Sequence, residues 1–166
     1  GDSTNVVTGV GVTPGQIAVS PMSLDFGTLA TITTSQRVFV VTNTGGTTVS
    51  NGTAAVTGGP FTVVSGSSFS VTGGSSTNVV VRFAPVSEGE FTNNVLFASA
   101  NGGGSTNPVT GTGAVVPVAA FTGSPTNGAI PLTVSFTDSS TGTITNRFWS
   151  FGDGATTNTV ATSMTY

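Results

Sequence analysis

The chain has 166 residues, only 5% of them charged, and a formal net charge of −3. Its three basic residues are Arg37, Arg82 and Arg147, too few to hold nucleic-acid phosphates. No stretch approaches the ~20 apolar residues of a membrane-spanning helix. These features exclude nucleic acid as a partner and a membrane span within this segment.

The opening segment of the chain recurs once. Residues 1–12 (GDSTNVVTGVGV) and 103–114 (GGSTNPVTGTGA) are identical at eight of twelve positions. Self-similarity at a fixed offset is the signature of tandem modules. We therefore predict that residues 1–13 are the terminal strand of a preceding or partner module. The residues of this donated strand are Ser3, Asn5, Val7 and Gly9.

Short strands are predicted along the chain up to residue 114. They span Gln16–Ser20, Arg37–Asn43, Thr48–Val56, Phe61–Val64, Ser68–Val71, Thr77–Phe83, Glu90–Ser99 and Ser105–Gly113. The apolar residues in these runs are mostly Val and Phe, which favour strands, and Gly or Pro interrupts every candidate helix. About eight short strands separated by turn signals predict an all-β sandwich.

Alternation along these strands assigns their two faces. The inward residues are predicted to be Phe39, Val41, Val79, Val81, Phe83, Phe91, Val95 and Phe97. The outward residues then include Val38, Val40, Val80 and Leu96. An apolar outer surface indicates a protein partner, such as another copy of the chain. Alternatively, valine serves there only for its strand propensity.

Four sequence anchors carry a family resemblance. They are Leu24-Asp25-Phe26-Gly27, Val41-Thr42-Asn43-Thr44-Gly45, Phe83-Ala84-Pro85 with Gly89-Glu90-Phe91, and Val109-Thr110-Gly111-Thr112-Gly113. Together they resemble the ASH/Hydin-type immunoglobulin-like domain common in bacterial surface proteins of the choice-of-anchor D type. The resemblance covers about residues 15–114 and implies a sandwich with a structural or adhesive role. We place this domain at residues 14–115.

Residues 116–166 resemble a PKD domain. The resemblance rests on residues 117–121 (PVAAF), 128–138 (GAIPLTVSFTD) and 148–154 (FWSFGDG), although Ser150 stands where that family usually has Asp. It implies a second immunoglobulin-like sandwich whose last strands follow the strand that ends at Tyr166, so this domain is incomplete as written. The predicted fold is therefore all-β, with two tandem sandwiches preceded by one spare strand.

Alternation within this second domain predicts its core. Leu132, Val134 and Phe136 share one face, and Trp149 and Phe151 lie on a facing strand. Trp149 is a possible platform for stacking a sugar ring, but we expect it to fill the core. The turn after the facing strand is formed by residues 153–154.

Chemistry-bearing residues are scarce. His, Cys and Lys are absent, so the usual general bases, thiol nucleophiles and Schiff-base lysines are missing. Glu88 and Glu90 are expected to lie in a solvated turn rather than to form a catalytic pair. Asp138 and Asp153 are expected to cap turns rather than to bind Ca²⁺. Asn51 begins the single Asn-x-Thr glycosylation sequon. We expect no enzyme activity, no cofactor and no metal.

These features predict a non-catalytic structural segment of a secreted or cell-surface protein. Immunoglobulin-like modules would stack into a rod, stalk or filament used in adhesion. The chain is expected to be a window on a longer chain of such modules; alternatively, neighbouring subunits exchange strands. The alternative is a set of polysaccharide- or protein-binding accessory modules of a secreted hydrolase or adhesin. That alternative predicts a row of exposed aromatic side chains.

Overall fold

A computed structural model describes residues 1–159 and 161–165. Every regular element in these residues is a β-strand, and none of them forms a helix that could span a membrane. The chain divides into two compact units, Gly1–Gly113 and Ala114–Tyr166. The all-β prediction is confirmed.

The first unit is a sandwich of two sheets. Its strands are β1 (Ile17–Ser20), β2 (Leu24–Ala30), β3 (Ser35–Asn43), β4 (Val49–Val56), β5 (Phe61–Ser65), β6 (Ser68–Val71), β7 (Ser76–Phe83), β8 (Gly89–Ala98) and β9 (Gly104–Ala114). One sheet has the order β1-β3-β7-β5 and the other β2-β9-β8-β4-β6. The last strand of this unit, β9, therefore lies inside its sheet, between β2 and β8.

The core between the two sheets is built from valine and phenylalanine. Its fully buried side chains include Phe39, Val41, Val79, Val81, Phe83, Val95 and Val109. The rings of Phe61 and Phe83 stack at a centroid distance of 4.8 Å, and Phe39 meets Phe97 edge-on at 5.5 Å. Each buried side chain of this size contributes about 1.5–3 kcal/mol of burial free energy.

The predicted inward set is confirmed, with Phe91 at its border. Phe91 is half-buried and packs against this core, with its ring 6.0 Å from that of Phe83. Strand alternation predicted the inward side correctly because each strand has one face on the core.

One buried polar residue joins three parts of this sandwich. The Asn43 side chain is fully buried. Its Oδ1 accepts hydrogen bonds from the backbone N–H groups of Gln16 (3.1 Å) and Gly45 (3.0 Å). Its Nδ2 donates to the carbonyls of Thr47 (2.8 Å) and Val71 (2.9 Å). The amide therefore ties the start of β1, the turn after β3 and the end of β6 together, with its donors and acceptor satisfied.

Residues 1–16 lie outside the sheets of this chain. Residues 1–14 are all exposed, and Thr13 is the first residue that binds the sandwich. The Thr13 carbonyl accepts hydrogen bonds from the N–H groups of Gly46 and Thr47, both at 3.1 Å. In the described part of the chain, residues 1–12 belong to no strand and pair with none, so pairing of the predicted spare strand elsewhere stays a prediction.

The second unit has two small sheets. Its strands are β10 (Phe121–Ser124), β11 (Thr133–Asp138), β12 (Trp149–Ser150), β13 (Thr156–Thr157) and β14 (Ala161–Thr165). One sheet has the order β10-β11-β14, and β12 pairs with β13. None of residues 114–159 is fully buried, whereas the sandwich has a closed core.

Alternation also holds in the second unit. Leu132, Val134 and Phe136 are half-buried, with exposed residues between them. The Phe136 ring lies 5.2 Å from Phe151 and 6.2 Å from Trp149. The predicted apolar face is confirmed, although Phe151 follows β12 rather than lying in it. The predicted strand end at Tyr166 lies outside the described residues.

Candidate interaction surfaces

Three of the four predicted outward apolar residues share one outer face. Val38 on β3 lies directly opposite Val80 on β7, and Val40 is two positions further along β3. Val38 is 39% exposed, and the other two are half-buried. We call Val38, Val40 and Val80 the valine face. Its neighbours on this side of the sheet include Gln36 and Thr42, so an apolar centre is bordered by polar side chains.

Leu96 lies on the other sheet. It is 49% exposed on β8 and pairs with Ala55 of β4 and Thr106 of β9. The two sheets cover opposite sides of one core, so their outer faces point away from each other. The structure therefore does not bring Leu96 together with the valine face.

The predicted donated strand is freely accessible. Ser3, Asn5, Val7 and Gly9 are all exposed. Val6 and Val7 are 88% and 93% exposed, and a Cβ added at Gly9 would meet nothing within 4 Å. Consecutive exposed valines in a segment without a sheet are apolar surface that a partner could cover.

An aromatic concavity occupies the second unit. It encloses about 560 Å³ and is lined by Phe121, Phe136, Phe148, Trp149 and Phe151 among others. The Phe121 and Phe148 side chains are 64% and 71% exposed. The Trp149 ring lies 5.6 Å from Phe121 in an edge-on contact, and its Nε1 donates to the Thr159 carbonyl at 2.8 Å.

Trp149 is half-buried rather than enclosed. Its ring is parallel to that of Phe151 within 6°. This packing agrees with the expected core position, although the described residues leave the cluster open on one side. The sequence did not predict that Phe121 and Phe148 are exposed, because both lie in motifs that resemble a buried PKD core.

Two acidic side chains of the second unit are held by local contacts. Asp138 Oδ1 accepts the Ser140 N–H at 2.8 Å, and Asp153 Oδ1 accepts the Ala155 N–H, also at 2.8 Å. Both are the Asx turns that the sequence predicts. The described residues hold no cluster of three or more His, Cys, Asp or Glu residues able to bind a metal ion.

Asp138 is also the acidic partner of an ion pair. Arg147 Nε donates to Asp138 Oδ2 at 2.6 Å. The Asp138 side chain is only 7% exposed. Hydrogen bonds from Ser140 and from Arg147 lower the pKa of Asp138 from the ordinary 3.8 to about 2. This contact connects the end of β11 to the segment before β12. It serves the structure of the second unit.

The sequon at Asn51 is accessible in the folded chain. Asn51 is exposed and has a φ of 49°. It lies at the irregularity where the register of β4 against β6 shifts between Val49 and Gly52. The Asn51 side chain is therefore accessible to solvent at this irregularity. Attachment of a glycan there stays a prediction.

The family model of the HYDIN/CFA65/VesB-like Ig-like domain matches residues 15–114. The chain belongs to this family. The match coincides with β1–β9, and we refer to this part of the chain as the HYDIN-type domain. It does not extend to the second unit, whose resemblance to a PKD domain stays a prediction.

Solved structures show the same fold at low sequence identity. The ASH/PapD-like domain 7 of human CEP192 is 15% identical with a TM-score of 0.51, and the match covers 69% of this chain and 96% of that one. A protein of unknown function from Porphyromonas gingivalis W83 is 16% identical with a TM-score of 0.50, covering 59% of this chain and 46% of that one. No curated protein matches this chain.

Proposed function

We propose that the chain is a non-catalytic structural segment of an extracellular rod, stalk or filament. In this role immunoglobulin-like units follow one another along the chain and pack against further copies or repeats. The observation that carries the proposal is the second copy of the β9 sequence at residues 1–12, since repetition of a closing strand implies repetition of the domain. A role of this kind is mechanical and requires no reactive side chain.

Surface chemistry supports close packing between copies. Charged residues make up only 5% of the chain, so neighbouring molecules repel one another weakly. The valine face supplies apolar area at the centre of one outer sheet surface, and its border is polar. Interfaces between proteins commonly combine an apolar centre with a polar rim.

Electron microscopy of the native material tests this proposal. Filaments or rods with an axial repeat that matches one or two domains are expected. Charge substitution in the valine face, Val38→Asp with Val40→Asp, is expected to disperse them. Leu96→Asp, which places a single new charge on the outer face of the opposite sheet, is the control. If both variants assemble like the native protein, the valine face is not an interface.

A second candidate function rests on the aromatic concavity. Its volume lies within the range of about 300–1,000 Å³ found for ligand pockets, and its exposed rings could stack against the apolar faces of sugars. Retention on insoluble polysaccharide, lost on Phe121→Ala with Phe148→Ala, would support this function. The expected result under the structural proposal is that neither the native chain nor this variant is retained.

A further inference from the structure

We propose that residues 1–13 are the closing strand of a second HYDIN-type domain and take there the position that β9 takes here. The inference rests on the proposed function only in supposing that such a partner domain exists. It specifies the partner more closely: a domain of the same family, rather than the PKD-like unit.

Strand β9 shows which of its positions contact the core. Asn107, Val109, Gly111 and Gly113 are buried and Ser105 is half-buried, whereas the intervening residues are exposed or half-buried. The first two of these positions, Ser105 and Asn107, make polar contacts. Ser105 Oγ donates to Asn107 Oδ1 at 2.7 Å, and Asn107 Nδ2 donates to the Met22 carbonyl at 3.0 Å.

The remaining inward positions are restricted by the space available to their side chains. Val109 is fully buried. A Cβ at Gly111 would come within 2.7 Å of the Phe83 ring, and one at Gly113 would collide with the Ser87 carbonyl. The inward face of β9 is therefore a defined series of hydroxyl, amide, isopropyl and two glycines.

The opening segment repeats this inward face in full. With the offset of 102 residues, the inward positions of β9 correspond to Ser3, Asn5, Val7, Gly9 and Gly11, and all five are identical. The four differences replace Gly104, Pro108, Thr112 and Ala114, which all lie on the other side of the strand. The inward positions of the two segments are thus all identical. The differences lie on the outward side, where packing against the core restricts the side chains least.

After the identity of Gly1 with Gly103, the match is interrupted at Asp2 and resumes at Ser3. Asp2 corresponds to Gly104, where a Cβ would approach the Phe97 carbonyl within 2.6 Å. Residues 3–12 lie ahead of Thr13, whose hydrogen bonds to the turn after β3 fix the end of the segment on this domain. Ten residues are enough for a strand as long as most of those in the sandwich.

Only a domain that lacks its own closing strand can accept this segment. The corresponding position in this chain is filled by β9, which pairs along its length with β8. The second unit meets this condition, since its described residues include no strand of the β9 type. Its open face is aromatic, however, and is not shaped for an Asn-x-Val-x-Gly series. The body of another HYDIN-type domain offers the carbonyls, the cavity and the phenylalanine ring that this series fits.

A tandem chain tests the pairing directly. Residues 14–102 are placed before residue 1 of the full chain, so that residues 1–12 follow a domain body at the point where β9 follows it here. We expect the added body to fold, with about twice the calorimetric unfolding enthalpy of the single HYDIN-type domain. Val7→Asp should unfold the added body, whereas Val6→Asp, on the outward side, should leave it folded. An added body that stays unfolded, or equal effects of the two substitutions, would overturn the inference.

A graft supplies the second measurement. Pro108→Val, Thr112→Val and Ala114→Val together convert residues 105–114 of β9 into the sequence of residues 3–12. We expect the grafted chain to keep a cooperative transition with a Tm within about 5 °C of the native value, and loss of that transition contradicts the inference. Neither test requires assembly. Native material without filaments would therefore refute the rod while leaving the strand assignment intact.

Discussion

At the scale of single residues, the hydrogen bonds of Asn43 explain why this family anchor is polar although it lies in an apolar core. Asn43 occupies a position with no solvent access and makes four side-chain hydrogen bonds to backbone groups from separate segments. Since a buried backbone group without a partner is costly, the amide is a structural requirement at this site. Asn107 has a similar role between β9 and the loop before β2.

Asn43→Ala is therefore expected to lower the free energy of unfolding of the HYDIN-type domain by roughly 2–4 kcal/mol. Urea unfolding followed by far-UV circular dichroism measures this change. Asn101→Ala is the matched control. Its amide also bonds Ser50 N–H and the Thr48 carbonyl, but it is exposed and water can replace it. Equal losses in the two variants would contradict the prediction.

Asp138 gives the second unit a dependence on acid. Its pKa is lowered to about 2 in the folded chain, so its contribution to stability is fully present above the ordinary value of 3.8 and is lost as the pH falls through 2. Native protein is expected to lose more stability between about pH 5 and about pH 2 than Asp138→Asn. Fluorescence of Trp149, the single tryptophan, reports unfolding of this unit. An equal acid response in both proteins would show that the ion pair does not carry the effect.

At the scale of elements, alternation predicts which way side chains point but not which sheet a strand joins. The predicted spans and inward residues agree with β3, β7 and β8 because each strand places one face on the core. The separation of Leu96 from the valine face depends on the order of strands in the two sheets. That order is set by contacts far apart in sequence, so a local pattern carries no signal for it. The hydrogen bonds of Asn43 were not predicted for the same reason.

Glycine in β9 is predicted to be required by packing. Gly111→Ala would place a methyl group against the Phe83 ring and is expected to cost about 1–3 kcal/mol. Gly9→Ala, at the corresponding position of the opening segment, meets nothing within 4 Å in this chain. It should leave the stability of the single chain unchanged and destabilise only the added body of the tandem chain. Differential scanning calorimetry of both variants measures the contrast.

At the scale of the whole molecule, the two units differ in how completely they bury their side chains. The HYDIN-type domain has a closed core, while none of residues 114–159 is fully buried. Burial of apolar surface is the main favourable contribution to folding. The second unit is therefore expected to be the less stable one when the chain is studied alone.

Thermal unfolding should accordingly occur in two steps. The transition seen by Trp149 fluorescence is expected at a lower temperature than the main transition seen by far-UV circular dichroism. Gly111→Ala should lower the second transition without moving the first. Coincident transitions by both probes would show that the two units unfold as one and would contradict this prediction.

The place of β9 in its sheet also has a consequence for biosynthesis. Although β9 is the last strand of its domain in chain order, it lies between β2 and β8. During translation β2 therefore has no neighbour on that side until residue 104 and its successors have left the ribosome. Pairings between distant segments form slowly, so the domain stays open until its final strand emerges and closes in one late step. In a chain of such domains, each one would complete its fold only after synthesis of the next has begun.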